Sequence, residues 1–78
     1  MEMIGQNQSL LLTARQVGEA LGLSERKIWQ LNSAGRLPAP LRLGKSTRWR
    51  RDELAGWVDA GCPERGRWLA MKAQGQPK

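Results

Sequence analysis

Apolar residues recur between Leu10 and Gly35 in two short helical periods, separated by a glycine. Val17, Ala20 and Leu21 share one face at i, i+3 and i+4, with Arg15, Gln16 and Glu19 as the polar remainder. With Thr13 as N-cap, Gln16 falls at the N3 position and completes a capping box, and Leu12 before the cap is placed to staple Val17. Gly22 supplies the left-handed residue that ends this helix. Ser24 then caps a second helix, with Leu23 placed to staple Ile28. Ile28 and Leu31 face inward, and Arg26, Lys27, Gln30 and Ser33 fall largely on the other side. Gly35 ends the helix, and Pro38 and Pro40 prevent its continuation.

Beyond Pro40 the period changes from that of a helix to that of a strand. Residues 41–50, LRLGKSTRWR, alternate apolar and basic positions on both sides of Gly44-Lys45-Ser46, the signal of a β-hairpin. Read about that three-residue tip, Leu41, Leu43 and Trp49 share one face and Arg42, Arg48 and Arg50 the other. Asp52 and Glu53 sit at the favourable, N-terminal end of a third helix that buries Leu54, Trp57 and Val58 and closes at Gly61. Pro63 suits the first position of a fourth helix, which runs through Trp68, Leu69 and Met71. The pattern therefore predicts a mainly α fold with a small β-hairpin: three to four helices and a two-stranded wing over residues 10–73. A flexible leader, 1–9, and tail, 74–78, complete the expected organisation.

Length and composition narrow what such a fold can do. The 78 residues suffice for one small domain. Lys and Arg number 13 against 7 Asp and Glu, a formal net charge of +6, which makes nucleic acid the leading partner. The charge is unevenly placed: Arg36, Arg42, Lys45, Arg48, Arg50 and Arg51 follow Gly35 with no acidic residue among them. Cys62 is the sole cysteine, so neither an intrachain disulfide nor a cysteine-based zinc site can form. The chain has no histidine, the commonest general base and metal ligand. Enzymatic activity, metal and cofactor are therefore not expected. The absence of a long apolar run or signal-peptide pattern leads to the expectation of a soluble, cytoplasmic protein with no membrane partner.

The charges of the second helix point to a purpose. Arg26 and Lys27 lie in its opening turn, where the macrodipole disfavours basic side chains. Two capped helices joined by a tight turn, the second led by cations, read as a helix-turn-helix aimed at double-stranded DNA. In that arrangement the N-terminal residues of the second helix reach base edges in the major groove. The candidates are Ser24, Arg26, Lys27 and Gln30: Arg or Lys can donate to guanine, and Gln can pair bidentately with adenine. Backbone contacts are expected from Arg15 at the start of the first helix and from Arg36, Arg42, Lys45, Ser46, Thr47, Arg48 and Arg50 in and before the wing. Gln16 already has its capping role. Trp49, Trp57 and Trp68 are assigned to the core in a chain with no Phe or Tyr, whereas Trp29 has two places open to it: partly buried beside Ile28, the favoured one, or with its ring on the sugar-phosphate backbone and its indole N–H on a phosphate. Cys62 is read as a quiet, half-buried thiol.

Residues 10–58 resemble the excisionase-like, AlpA-type regulators of phage and mobile elements, related to the MerR-like winged-helix group. The resemblance is carried by Leu12-Thr13-Ala14, Leu23-Ser24, Gly35-Arg36-Leu37-Pro38 and Arg48-Trp49, and the stretch from Ala60 to Trp68 resembles a C-terminal extension found in part of that family. It implies a winged helix-turn-helix that bends or marks DNA or regulates transcription, with Arg26, Lys27 and Gln30 as recognition positions and Lys45, Thr47 and Arg48 as wing positions. Trp29 stands where the family often has Tyr. A recombinase or integrase is a possible protein partner, and a monomer or weak homodimer assembling on DNA is the expected state. Two other roles fit the same residues: a module docking an acidic protein such as a recombinase, and a recognition domain like that of a phage terminase small subunit.

Overall fold

Caps at one end and glycines at the other delimit the first helices. The structure, a computed structural model, describes residues 9–75. Helix α1 (Ala14–Leu21) begins at Thr13, whose Oγ1 accepts the Gln16 N–H at 3.1 Å while Gln16 Oε1 accepts the Thr13 N–H at 2.9 Å. The predicted capping box is therefore present. Helix α2 (Glu25–Ser33) begins at Ser24, whose hydroxyl accepts the Lys27 N–H at 3.1 Å. Helix α3 (Arg51–Asp59) follows the wing, and α4 (Arg65–Gly75) ends the described chain.

Gly22, Gly35 and Gly61 end the first three helices at positive φ, each with the paired backbone bonds of a Schellman turn. At Gly35, for example, the Arg36 N–H reaches the Leu31 carbonyl at 2.9 Å and the Gly35 N–H reaches that of Asn32 at 3.1 Å. All three stops fall where the sequence places them.

Three strands make one antiparallel sheet in the order β1-β3-β2: β1 (Leu11–Leu12), β2 (Leu41–Leu43) and β3 (Ser46–Arg50). β1 is too short to leave a periodic signal, and it extends the expected two-stranded wing to three strands. The hairpin turns on two residues, Gly44 and Lys45, with Leu43 paired to Ser46. Positive φ at Gly44 and not at Lys45 is the backbone pattern of a type II′ turn.

That turn overturns the predicted facing of the wing. With two loop residues instead of three, Leu41 pairs with Arg48 and Arg42 with Thr47. Paired residues share a face, so Trp49 lies with Thr47 and Arg42, and Arg48 and Arg50 lie with Leu41 and Leu43. One residue of register moves every side chain of a strand to the other side.

The core gathers Leu12, Val17, Ile28, Leu37, Trp49, Leu54, Trp57 and Trp68 beneath the sheet and between the helices, with Leu21 and Leu31 partly buried against it. Three of the four tryptophans are thus core residues, as expected. Ala20 and Val58 are exposed, contrary to the pattern, and Gly18 takes the buried place on α1. A Cβ on Gly18 would stand 2.5 Å from the Leu23 carbonyl oxygen, so its absence lets the turn close against α1.

α4 starts two residues after Pro63, not at it. The Pro63 carbonyl instead accepts the Trp57 indole N–H at 2.7 Å, which ties the segment before the helix to α3. Cys62 is exposed and not half-buried, and it adopts φ 57°, the one positive value at a non-glycine among the described residues. Most of the expected leader and tail lies outside the described residues; Ser9 and the last two residues of α4 are the parts that fall within. Among the described residues, four helices and an antiparallel wing around one core make a mainly helical, winged helix-turn-helix fold.

Candidate nucleic-acid interface

The outward face of α2 is decided by Ile28. Its burial turns Arg26, Gln30 and Ser33 to the opposite side, where with Trp29 and Ala34 they line a shallow, open depression. Arg26 and Gln30 therefore lie together, one turn apart, on one exposed face. Lys27 is exposed on the flank nearer Leu31, and Ser24 stands at the N-terminal end with its hydroxyl oxygen occupied by the cap.

Trp29, for which the sequence favours a partly buried place beside Ile28, stands outside the core. It is 40 % exposed and not part of the core, because Trp49, only 1 % exposed, takes the buried position beside it. The two rings meet edge to face, with centroids 5.7 Å apart and planes at 62°. Trp49 is itself anchored by its indole N–H on the Pro38 carbonyl at 3.0 Å. The Trp29 N–H is directed to Glu25 Oε2, one turn back, at 3.4 Å. The helical period alone could have put Trp29 beside Arg26 and Ser33, since its position is about 100° from Ile28.

This ring pair brings the wing alongside α2. The hairpin face that carries Trp49 also carries Thr47 and Arg42, which puts these two wing residues on the side of α2 that holds Trp29. Lys45 is exposed at the turn next to half-buried Ser46. Arg48 is on the opposite face, half-buried, and its guanidinium donates to the Thr47 carbonyl at 2.9 Å. Arg50 lines a cleft with Leu10, Leu11, Glu53, Trp68, Leu69 and Lys72. The structure thus brings Arg26, Gln30, Arg42 and Thr47 towards one side and leaves Arg50 on another.

Arg36 lines a second cleft with Leu21, Leu23, Leu31, Trp57 and Cys62. Arg15 is paired with Glu19 across one turn at 3.6 Å, both highly exposed, an arrangement that a phosphate can displace at little cost. Gln16 is committed to the capping box.

The C-terminus of α2 is held by a residue that pattern reading passes over. Arg65, the first residue of α4, donates from Nε to the Leu37 carbonyl at 2.8 Å and from Nη2 to Asn32 Oδ1 at 2.8 Å and the Asn32 carbonyl at 3.3 Å. Its backbone N–H adds a bond to the Gly35 carbonyl at 2.9 Å. A cation there also complements the negative end of the α2 macrodipole. At its other end α4 is tied to α3 through Glu53, which accepts from Trp68 Nε1 at 3.0 Å and from Lys72 Nζ. Burial pushes the Glu53 carboxyl up, but the hydrogen bonds from Lys72 and Trp68 and the charges of Lys72 and Arg50 outweigh it and hold the group below its ordinary value.

Among the described residues no group of acidic, cysteine or histidine side chains could hold a metal ion, and no helix is long and apolar enough to cross a membrane. A family model described as a helix-turn-helix domain matches residues 11–62, from β1 through α3 and its glycine stop. No curated protein matches the chain.

Proposed function

The chain belongs to the helix-turn-helix domain family, a DNA-binding family, and from that premise we propose that it binds duplex DNA sequence-specifically and without catalysis. The reading places it beside the excisionase- and AlpA-type regulators of mobile elements, as a regulator of transcription or an architectural factor in excision. In this mechanism α2 enters the major groove, where Arg26 and Gln30 meet base edges, with Ser24 and Lys27 at its leading end. Lys45, Ser46, Thr47 and Arg42 follow the adjacent backbone from the wing, and Arg15 approaches a phosphate at the start of α1. Arg36, Arg48 and Arg50 contribute chiefly to the positive field that draws the duplex in.

One observation carries the proposal: the exposed face of α2 holds Arg26 and Gln30 together, and the Trp29–Trp49 contact sets a basic wing beside that face. A single copy covers a short site, so specificity sufficient for regulation requires two copies on neighbouring half-sites. Selection of bound duplexes from a random pool, followed by anisotropy titration, tests the whole reading. With about three phosphates neutralised, by Arg15, Arg42 and Lys45, log K should fall against log salt with a slope near −3. Arg26→Ala should relax the choice of one base at a cost of about 1–3 kcal/mol, and Lys45→Ala should weaken all sequences alike. A slope near zero, or retention on acidic protein but not on DNA, would overturn it.

A further inference from the structure

An aromatic ring in water on an otherwise polar recognition face needs a reason. Trp29 cannot withdraw into the core, because Trp49 fills the site next to it and is pinned to Pro38. Nor is its polar edge directed outward for a phosphate. The indole N–H is turned to the Glu25 carboxylate, whose charge repels a phosphate from that edge. What remains accessible is apolar ring surface, held in place between Arg26 and Gln30 on one side and the wing on the other.

The major groove offers one apolar group for such a surface, the methyl on C5 of a pyrimidine. We propose that Trp29 is a specificity-determining residue that reads a pyrimidine C5-methyl group, of thymine or 5-methylcytosine, next to the bases met by Arg26 and Gln30. The inference rests on the DNA-binding reading above and refines it. The ring is already ordered in the free protein by its edge contact with Trp49 and by Glu25, so the contact incurs little further loss of side-chain freedom.

The test uses the wild-type chain and the duplex selected as its site, with one thymine at a time replaced by uracil, which removes only the methyl. One position should lose about fourfold in affinity, the equivalent of ~0.8 kcal/mol for one methyl group withdrawn from water. A uracil sensitive to rescue by 5-methylcytosine at the same step would identify the methyl group itself as the ligand, and sensitivity confined to thymine would identify the base as well. Trp29→Ala should bind thymine and uracil duplexes equally, whereas Trp29→Phe should keep part of the difference. Equal binding of every uracil duplex by the wild type refutes the proposal while leaving DNA binding intact. Failure to bind any duplex removes the DNA-binding reading and this inference with it.

Discussion

Replacing Arg65 with alanine should loosen α2 from a distance. The guanidinium joins three elements: it bonds the Leu37 carbonyl, the Asn32 carbonyl and the Asn32 side chain, from the first residue of α4. Two of these bonds are 2.8 Å long, and all are partly buried. A hydrogen bond to a charged group contributes about 1.5–3 kcal/mol when well shielded; with water able to replace part of the loss, the set amounts to about 2–3 kcal/mol. Loss of the cation from the helix C-terminus adds roughly 0.3–1 kcal/mol.

Against a total stability of about 4–10 kcal/mol for a chain of this length, that is a large fraction. In urea, with a slope near 1 kcal/mol/M, the unfolding midpoint should fall by about 2–4 M. Arg67→Ala, an exposed change on the same helix, should shift stability by no more than ~0.5 kcal/mol. Arg65→Lys should restore less than half of the loss, because an ammonium cannot reproduce the fork. Amide exchange at Ala34, Gly35 and Arg36 should accelerate more than exchange in α1, since the bonds lost lie at the C-terminal end of α2. An Arg65→Ala midpoint no lower than that of Arg67→Ala would refute the assigned role.

Gly18→Ala should destabilise by about 1–2 kcal/mol despite the better helix former, because the new Cβ meets the Leu23 backbone oxygen at 2.5 Å and the turn must move. Gly66→Ala, in α4 with open space around it, should have the opposite sign and stabilise by up to ~1 kcal/mol; thermal unfolding of the two variants decides between them. Glu53 has a carboxyl held below its unfolded value of 4.5, so its contribution is complete above that pH and is lost as pH falls through the folded pKa. Glu53→Gln should therefore flatten the acid limb of stability measured by denaturation between neutral pH and pH 3, and an unchanged limb would sink the assignment. Cys62→Gly should raise the unfolding midpoint, since the left-handed backbone there suits glycine and the side chain is exposed.

The wing shows how close a sequence reading can come and still lose a site. The alternation from Leu41 to Arg50 announces a hairpin, and the hairpin is there. Its facing depends on whether Ser46 belongs to the turn or to the strand, a difference of one residue that the alternation does not register. Trp29 shows a second limit. Four tryptophans in a small chain invite assignment to the core, but core volume is finite, and Trp49 has the deeper place. Arg65 shows a third, since its partners lie 28 and 33 residues away, beyond the reach of any local pattern.

What the sequence determined by itself is everything that rests on neighbours within a turn or two. The capping box at Thr13, the cap at Ser24, the three glycine stops and the cationic lead of α2 are local, because helix ends are satisfied by residues three to five positions away. Those features were enough to mark out a helix-turn-helix and to nominate Arg26 and Gln30. Tertiary structure alone decided which wing residues stand beside that helix, which tryptophan is left in water, and what braces the end of α2. Each of these is a competition for one place in space between residues far apart in the chain, and only the packed fold determines which of them occupies it.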